Sequence, residues 1–246
     1  MERINDNLII AGPCAIENRE QMYKTFQSIH NYADIFRAGI WKGRTSPKSY
    51  PGCGEQALPW IQDIQKEFKM SVAIEVGTTK HVELALKYDI KIMWVGARTT
   101  VNPFAIQEIA ESVRNIDVEM WVKNPIISDM KLWEGAIDRF NRVGVKNIKT
   151  IYRGFHSDNL QKYRNHPRWD LLTKFRNKNA KIPIVFDPSH LSGNTKHIKD
   201  LTRKAKNQGI SGFMFEVHND PKQALSDNKQ QLNPEQFKQL IKNNLI

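Results

Sequence analysis

Two sets of chemically capable residues stand out in the chain. One is cationic: Arg37, Lys42, Arg44, Arg98, Lys123 and Arg153. The other could ligate a metal: Cys14, His190, Glu216 and Asp227. Guanidinium forks match carboxylate and phosphate oxygens in pairs, and an ammonium adds a point charge. Cations gathered at one mouth repel, each pair costing on the order of 1–4 kcal/mol at separations of several Å. Such a gathering makes sense only with polyanionic ligands, and two phosphates and a carboxylate fit this much positive charge. A thiolate, an imidazole and two carboxylates suit Mn²⁺, Fe²⁺, Co²⁺ or Zn²⁺ better than Mg²⁺ or Ca²⁺, which want oxygen alone. Taken singly, Cys14 reads as a small buried hydrophobe and His190 as a strand-end hydrogen-bonding group. Shared placement at one rim is what raises them to a site. Glu75 and Asp187 could orient water or the cationic heads, or act as plain ion-pair partners.

That placement follows from the elements. Short runs rich in Val, Ile, Phe and Trp occur at 8–14, 35–41, 72–76, 92–97, 119–123, 148–153, 184–187 and 212–217. Each is nearly continuous in apolar character, as a parallel strand buried on both faces must be. Helical patterns alternate with them, at 18–32, 54–69, 79–88, 104–113, 129–143, 158–179, 194–207 and 233–244. Asn102-Pro103 is a start signal, Asn as cap and Pro in the first turn. Pro167 should break or kink the helix expected after Asp158. Eight strands alternating with eight helices predict a (β/α)8 (TIM) barrel, with residues 1–246 forming one α/β domain. In a parallel barrel the C-terminal strand ends share one face, which brings both residue sets together. A-G-P-C after the first strand lacks the spacing of a dinucleotide-binding fingerprint.

The bulk properties agree. The chain has 246 residues, 40% of them hydrophobic, enough for one barrel core. It has no long apolar run to span a membrane and no apolar leader, so a cytoplasmic enzyme is expected. The net charge of +11 is spread along the chain without an aromatic stacking pattern, which argues for anionic small substrates over nucleic acid. Cys14 and Cys53 are expected to be free thiols.

Seven motifs in order resemble those of the 3-deoxy-D-arabino-heptulosonate 7-phosphate (DAHP) synthases of the compact, barrel-only subfamily. They are A-G-P-C-A-I-E (11–17), K-G-R-T-S-P (42–47), V-G-A-R (95–98), V-K-N-P (122–125), Y-R-G-F (152–155), F-D-P-S-H (186–190) and F-E-V-H-N-D-P-x-x-A-L-S-D (215–227). The resemblance implies a metal-dependent aldol-type condensation of phosphoenolpyruvate with D-erythrose 4-phosphate, the first step of the shikimate pathway to chorismate and the aromatic amino acids. It implies that Cys14, His190, Glu216 and Asp227 hold a divalent ion, Mn²⁺ foremost. Phosphoenolpyruvate would take Arg37, Lys42, Arg98, Lys123 and Arg153. The aldose phosphate would take Arg44 and Thr45, with Ser46 beside them. Lys42 would move a proton to the new hydroxyl. Gly43 departs from the Pro usual in this motif and loosens the backbone between Lys42 and Arg44. A homo-oligomer, dimer or tetramer, is also implied, as is a chorismate mutase domain or partner.

Two alternatives stand beside this reading. 3-Deoxy-D-manno-octulosonate 8-phosphate synthase shares the chemistry but uses arabinose 5-phosphate; R-T-S-P at 44–47 and G-A-R at 96–98 favour the shorter sugar. A catalytically silent, phosphate-binding regulatory barrel would be expected to lack part of the metal quartet.

Overall fold

The computed structural model describes residues 7–158 and 162–243. Eight parallel strands close into a barrel in sequence order. They are β1 (Leu8–Gly12), β2 (Ile35–Ala38), β3 (Ser71–Val76), β4 (Ile92–Val95), β5 (Glu119–Lys123), β6 (Asn147–Tyr152), β7 (Ile184–Phe186) and β8 (Gly212–Glu216). The ring is closed by β1 against β8, from Leu8 opposite Gly212 to Gly12 opposite Glu216.

Helices α1 (Arg19–Ile29), α2 (Leu58–Phe68), α3 (Thr79–Lys87), α4 (Pro103–Ser112), α5 (Met130–Arg142), α6 (Trp169–Lys178), α7 (Pro188–Ser192), α8 (Ile198–Lys206) and α9 (Pro234–Lys242) surround it. Several start where side chains satisfy the free N–H groups of the first turn. Asn102 accepts from Phe104 and Ala105 ahead of α4, and Asn233 forms a capping box with Gln236 at α9. The apolar faces of the helices pack on the outward residues of the strands in one continuous core. No helix among the described residues is long and apolar enough to cross a membrane. Both cysteines are free.

Inside the barrel lies a second apolar cluster: Ile10, Ile35, Ala73, Trp94, Trp121, Ile151, Val185 and Met214, one from each strand. Period-two alternation makes the residue two places further along each strand point inward too, one layer nearer the C-terminal mouth. Those residues are Gly12, Arg37, Glu75, Gly96, Lys123, Arg153, Asp187 and Glu216. The barrel therefore changes from an apolar plug to a charged layer within one side-chain step. Of the two glycines in the charged layer, Gly12 is demanded by backbone, whereas Gly96 crowds only the movable end of a side chain. A Cβ at Gly96 would stand 2.3 Å from Glu75 Oε1, and one at Gly12 would stand 2.1 Å from the Arg37 carbonyl oxygen.

The helix expected over 158–179 is corrected. Only Trp169–Lys178 is helical; residues 159–161 lie outside the described set. Pro167 cannot donate to a helical ladder, and the segment before it bonds elsewhere. Phe155 and His166 exchange backbone hydrogen bonds of 2.9 and 2.7 Å, and the N–H groups of Arg164 and Asn165 donate to the Ser192 and Leu191 carbonyls at 3.0 Å. Asn244, the expected end of the last helix, also lies outside the described residues. Cys14, expected at the end of the first strand, stands two residues beyond β1. His190, which the sequence places at the end of the seventh strand, belongs instead to α7, whose N-cap is Asp187.

Candidate active site at the C-terminal mouth

The structure brings the whole cationic set and the whole donor set to one end of the barrel. Lys42, Arg44, Thr45, Ser46, Glu75, Arg98, Lys123, Arg153, His190 and Asp227 line a single cavity of about 260 Å³. Cys14, Arg37 and Glu216 lie beneath it, each with no exposed surface.

The donor set forms two linked pairs. The Cys14 thiol donates to Asp227 Oδ2 at 3.1 Å. His190 Nε2 is 3.4 Å from Glu216 Oε1. Asp187 accepts the His190 backbone N–H at 2.9 Å and stands 2.8 Å from Nδ1 with its other oxygen. With Nδ1 against Asp187 and Nε2 toward Glu216 and the cavity, a ring protonated on Nδ1 would present Nε2 as a ligand. Glu216 is anchored by Gln230 at 2.6 Å and by Ser189, whose hydroxyl accepts the Glu216 backbone N–H at 3.0 Å. Asp227 sits in left-handed backbone, φ 46°, with Arg164 on one carboxylate oxygen at 2.9 Å and Arg44 on the other at 3.2 Å.

Burial and neighbouring charges shift the groups of this donor set. Burial pushes the Cys14 thiol up to about 12, and the Glu216 and Asp227 carboxylates add to the rise. Burial works to raise the Asp227 carboxyl, but Arg164, then His190 and the Cys14 thiol, hold it well below the usual carboxylate range. Glu216 Oε1 is buried without a hydrogen-bond partner. Among the described residues no three such donors already close on one point at ligating geometry. The separations of 3.1 and 3.4 Å nonetheless match the spacing of about 3–4 Å between ligands on a common small ion. A thiolate, formed only beside a metal at this burial, and an imidazole with two carboxylates fit a borderline divalent ion.

The cations divide by partner. Arg37 pairs with Glu216 at 3.1 Å, Lys42 with Glu75 at 3.5 Å, and Lys123 with Asp187 at 3.0 Å. Arg37 also stacks over Trp94 at 5.3 Å, while its Nε and Nη1 are buried without partners. Arg98 and Arg153 have no carboxylate within ion-pair distance among the described residues. Arg98 Nε donates to Thr45 Oγ1 at 3.1 Å, and Arg153 Nη1 donates to Asn165 Oδ1 at 2.8 Å. Burial first, then Arg164, pulls the Arg153 guanidinium down to about 10. Asp187 is held well below its ordinary value against its burial, chiefly by His190 and Lys123.

The loop over residues 39–57 carries Lys42 to Ser46. Lys42 N–H donates to Pro51 and Gly54 N–H to Ile40, which close the loop at its base. Arg44 Nε donates to the Tyr50 carbonyl at 2.8 Å. Ser46 is exposed, and its hydroxyl accepts the Lys48 N–H. A Cβ at Gly43 would meet nothing within 4 Å, so crowding does not demand glycine there.

Sequence reasoning missed Arg164, Asn165, Gln230 and Gln231. Arg164 Nη1 bridges Asp227 and Gln230, each at 2.9 Å, and Gln231 accepts the Cys14 N–H at 2.9 Å. Asn124, within the V-K-N-P motif, accepts the Arg153 N–H at 2.7 Å. No local signal marks Arg164 or Asn165 in a stretch that resembled a helix.

Fold and site together define a (β/α)8 barrel whose C-terminal mouth gathers cationic side chains around one cavity. The profile of the DAHP synthetase I family matches residues 4–244, and the chain belongs to that family. It is 29% identical to the phospho-2-dehydro-3-deoxyheptonate aldolase of Thermotoga maritima, over 95% of this chain and 67% of that protein. It is 24% identical to the 2-dehydro-3-deoxyphosphooctonate aldolase of Wolinella succinogenes, over 95% of this chain and 96% of that one. The crystal structure of the T. maritima DAHP synthase superposes with a TM-score of 0.86 at 28% identity, covering 97% of this chain and 68% of that chain. A truncated form of the T. maritima synthase gives 0.82 at 26% identity, covering 96% and 84%.

Proposed function

We propose that this protein condenses phosphoenolpyruvate with D-erythrose 4-phosphate and water, giving DAHP and inorganic phosphate. One observation carries the reading: Arg98 and Arg153, two guanidinium groups without an acid partner among the described residues, face a cavity that also holds Lys123, His190 and Asp227. A dianionic phosphoryl group beside the donor quartet is the ligand such a cavity suits.

Arg98 and Arg153 would grip the phosphoryl group of phosphoenolpyruvate. Its carboxylate would take Lys123 and the unpartnered Nε and Nη1 of Arg37. Arg44, Thr45 and Ser46 would hold the aldose phosphate, Arg44 exchanging the Asp227 carboxylate for it. Cys14, His190, Glu216 and Asp227 would hold a divalent ion, Mn²⁺ foremost, which would act as a Lewis acid on the aldehyde oxygen. C3 of phosphoenolpyruvate would attack the aldehyde carbon, forming the C–C bond and leaving C2 electron-poor. Water would add at C2, and the C2–O bond to phosphate would then break. Lys42, close to Glu75, would deliver the proton to the new hydroxyl. Asp187 would orient Lys123 and His190. Arg98 and Arg153 would stabilise charge on the departing phosphate.

Match to proteins named as phosphooctonate aldolases makes arabinose 5-phosphate the aldose to exclude. The test is phosphate release from phosphoenolpyruvate with each aldose at equal concentration. Release with erythrose 4-phosphate at least about tenfold above that with arabinose 5-phosphate is expected. The reverse order would assign the longer sugar, and release with neither would remove the synthase reading. A dimer or tetramer and a chorismate mutase partner belong to the same reading.

A further inference from the structure

Arg153 is held by two buried amides. Asn124, with no exposed surface, accepts the Arg153 N–H at 2.7 Å and donates to the Gly154 carbonyl at 2.8 Å, which fixes the main chain. Asn165, 3% exposed, fixes the head. Its Oδ1 accepts from Arg153 Nη1 at 2.8 Å, and its Nδ2 donates to the His190 carbonyl at 2.7 Å. Its own N–H is tied to Leu191 at 3.0 Å. One side chain thus joins an anion-gripping guanidinium to the helix that carries His190.

Among the described cations of this mouth, Arg153 and Arg98 bond neutral side chains, and Arg153 is the buried one of the two. Arg37, Lys42, Lys123, Arg44 and Arg164 all contact carboxylates. A carboxylate at 165 would have nearly the same shape and make a stronger, charge-assisted bond to Arg153. It would also compete with an incoming phosphoryl group for the same guanidinium, and could not donate to the His190 carbonyl.

We propose that Asn165 is a positioning residue that aims Arg153 into the cavity while leaving its charge uncompensated, so that the substrate phosphoryl group becomes the missing counterion. The proposal deepens the proposed function, since it takes Arg153 as part of the phosphoryl site. It explains why a buried arginine is left with an amide: folding stability is given up at this point for anion affinity.

The test compares Asn165→Asp and Asn165→Ala with the wild-type, metal-loaded protein. Affinity for inorganic phosphate is measured by calorimetry, and KM is measured separately for phosphoenolpyruvate and for the aldose phosphate. Asn165→Asp should weaken phosphate binding and raise KM for phosphoenolpyruvate by about ten- to hundredfold. Asn165→Ala, which loses the aim but adds no charge, should lie between it and wild type. KM for the aldose phosphate should stay within about threefold in both. Both variants lose the bond to the His190 carbonyl, so a role confined to holding that segment predicts similar losses in the two, whereas only aspartate adds a charge that competes for Arg153. Phosphate binding by Asn165→Asp as tight as by Asn165→Ala overturns the proposal. If Asn165→Asp does not fold by circular dichroism, Asn165→Ala decides alone: unchanged phosphate affinity overturns it. Binding needs no turnover, so loss of the synthase reading through the aldose assay would be visible separately.

Discussion

The barrel interior holds two neighbouring layers of opposite character, offset by two residues along the same strands. The lower layer runs through Trp94, Trp121, Ile151, Val185 and Met214 and has no exposed surface. It is closed underneath where Trp121 donates to Glu119, which also takes Lys149. The upper layer puts Arg37, Glu75, Lys123, Arg153, Asp187 and Glu216 at the equivalent inward positions. The comparison teaches where fold and chemistry separate. Removing apolar surface from water drives burial of the lower layer. The upper layer is costly to bury, and it persists because each charge meets an opposite charge, an amide, or a position open to an anionic ligand.

The comparison can be broken or sharpened at several points. The largest effect is expected in the upper layer. Metal removal with a strong chelator should lower turnover by about 10³-fold or more, with Mn²⁺ restoring it and the melting curve of the barrel little altered. Full activity in the chelator would dissolve the donor quartet as a site. Next comes the lower layer, where Trp121→Ala should cost about 3–5 kcal/mol in denaturant unfolding. A loss below about 1 kcal/mol would mean that the plug is not the stabilising layer. Gly96→Ala touches the upper layer through crowding, since its Cβ would overlap Glu75 Oε1. It should cost about 1–3 kcal/mol and also raise KM, because Glu75 steadies Lys42. Smallest is Asn102→Ala at the start of α4, outside both layers. It should cost about 1 kcal/mol and leave kcat/KM unchanged, as thermal melts and initial rates would report.

The lower layer and the outer core were legible because both rest on periodicity. Continuous apolar runs marked the strands, and Asn102-Pro103 marked a helix start that the structure has. The upper layer was legible in its residue types, since a charge closing an apolar run is hard to explain in a buried strand. What periodicity cannot convey is pairing. Nothing local shows that Arg37 meets Glu216, far along the chain, or that Arg44 turns to Asp227. The stretch ahead of Trp169 misled because its polar residues fit a helix by spacing. Its hydrogen bonds instead go to the end of α7 and back to Phe155. Asn165 has no local signature, as its role exists only once that segment lies beside His190 and Arg153.

Strand β6 carries both layers on adjacent inward positions, Ile151 below and Arg153 above, and so offers the most direct test. Unfolding free energy and phosphoenolpyruvate affinity should be measured together for Ile151→Ala and Arg153→Met. Ile151→Ala should lose about 2–5 kcal/mol of stability with affinity nearly intact. Arg153→Met should lose about 10²-fold or more in affinity with stability nearly intact. If both substitutions move the same quantity, the division of the interior into a folding layer and a working layer is wrong.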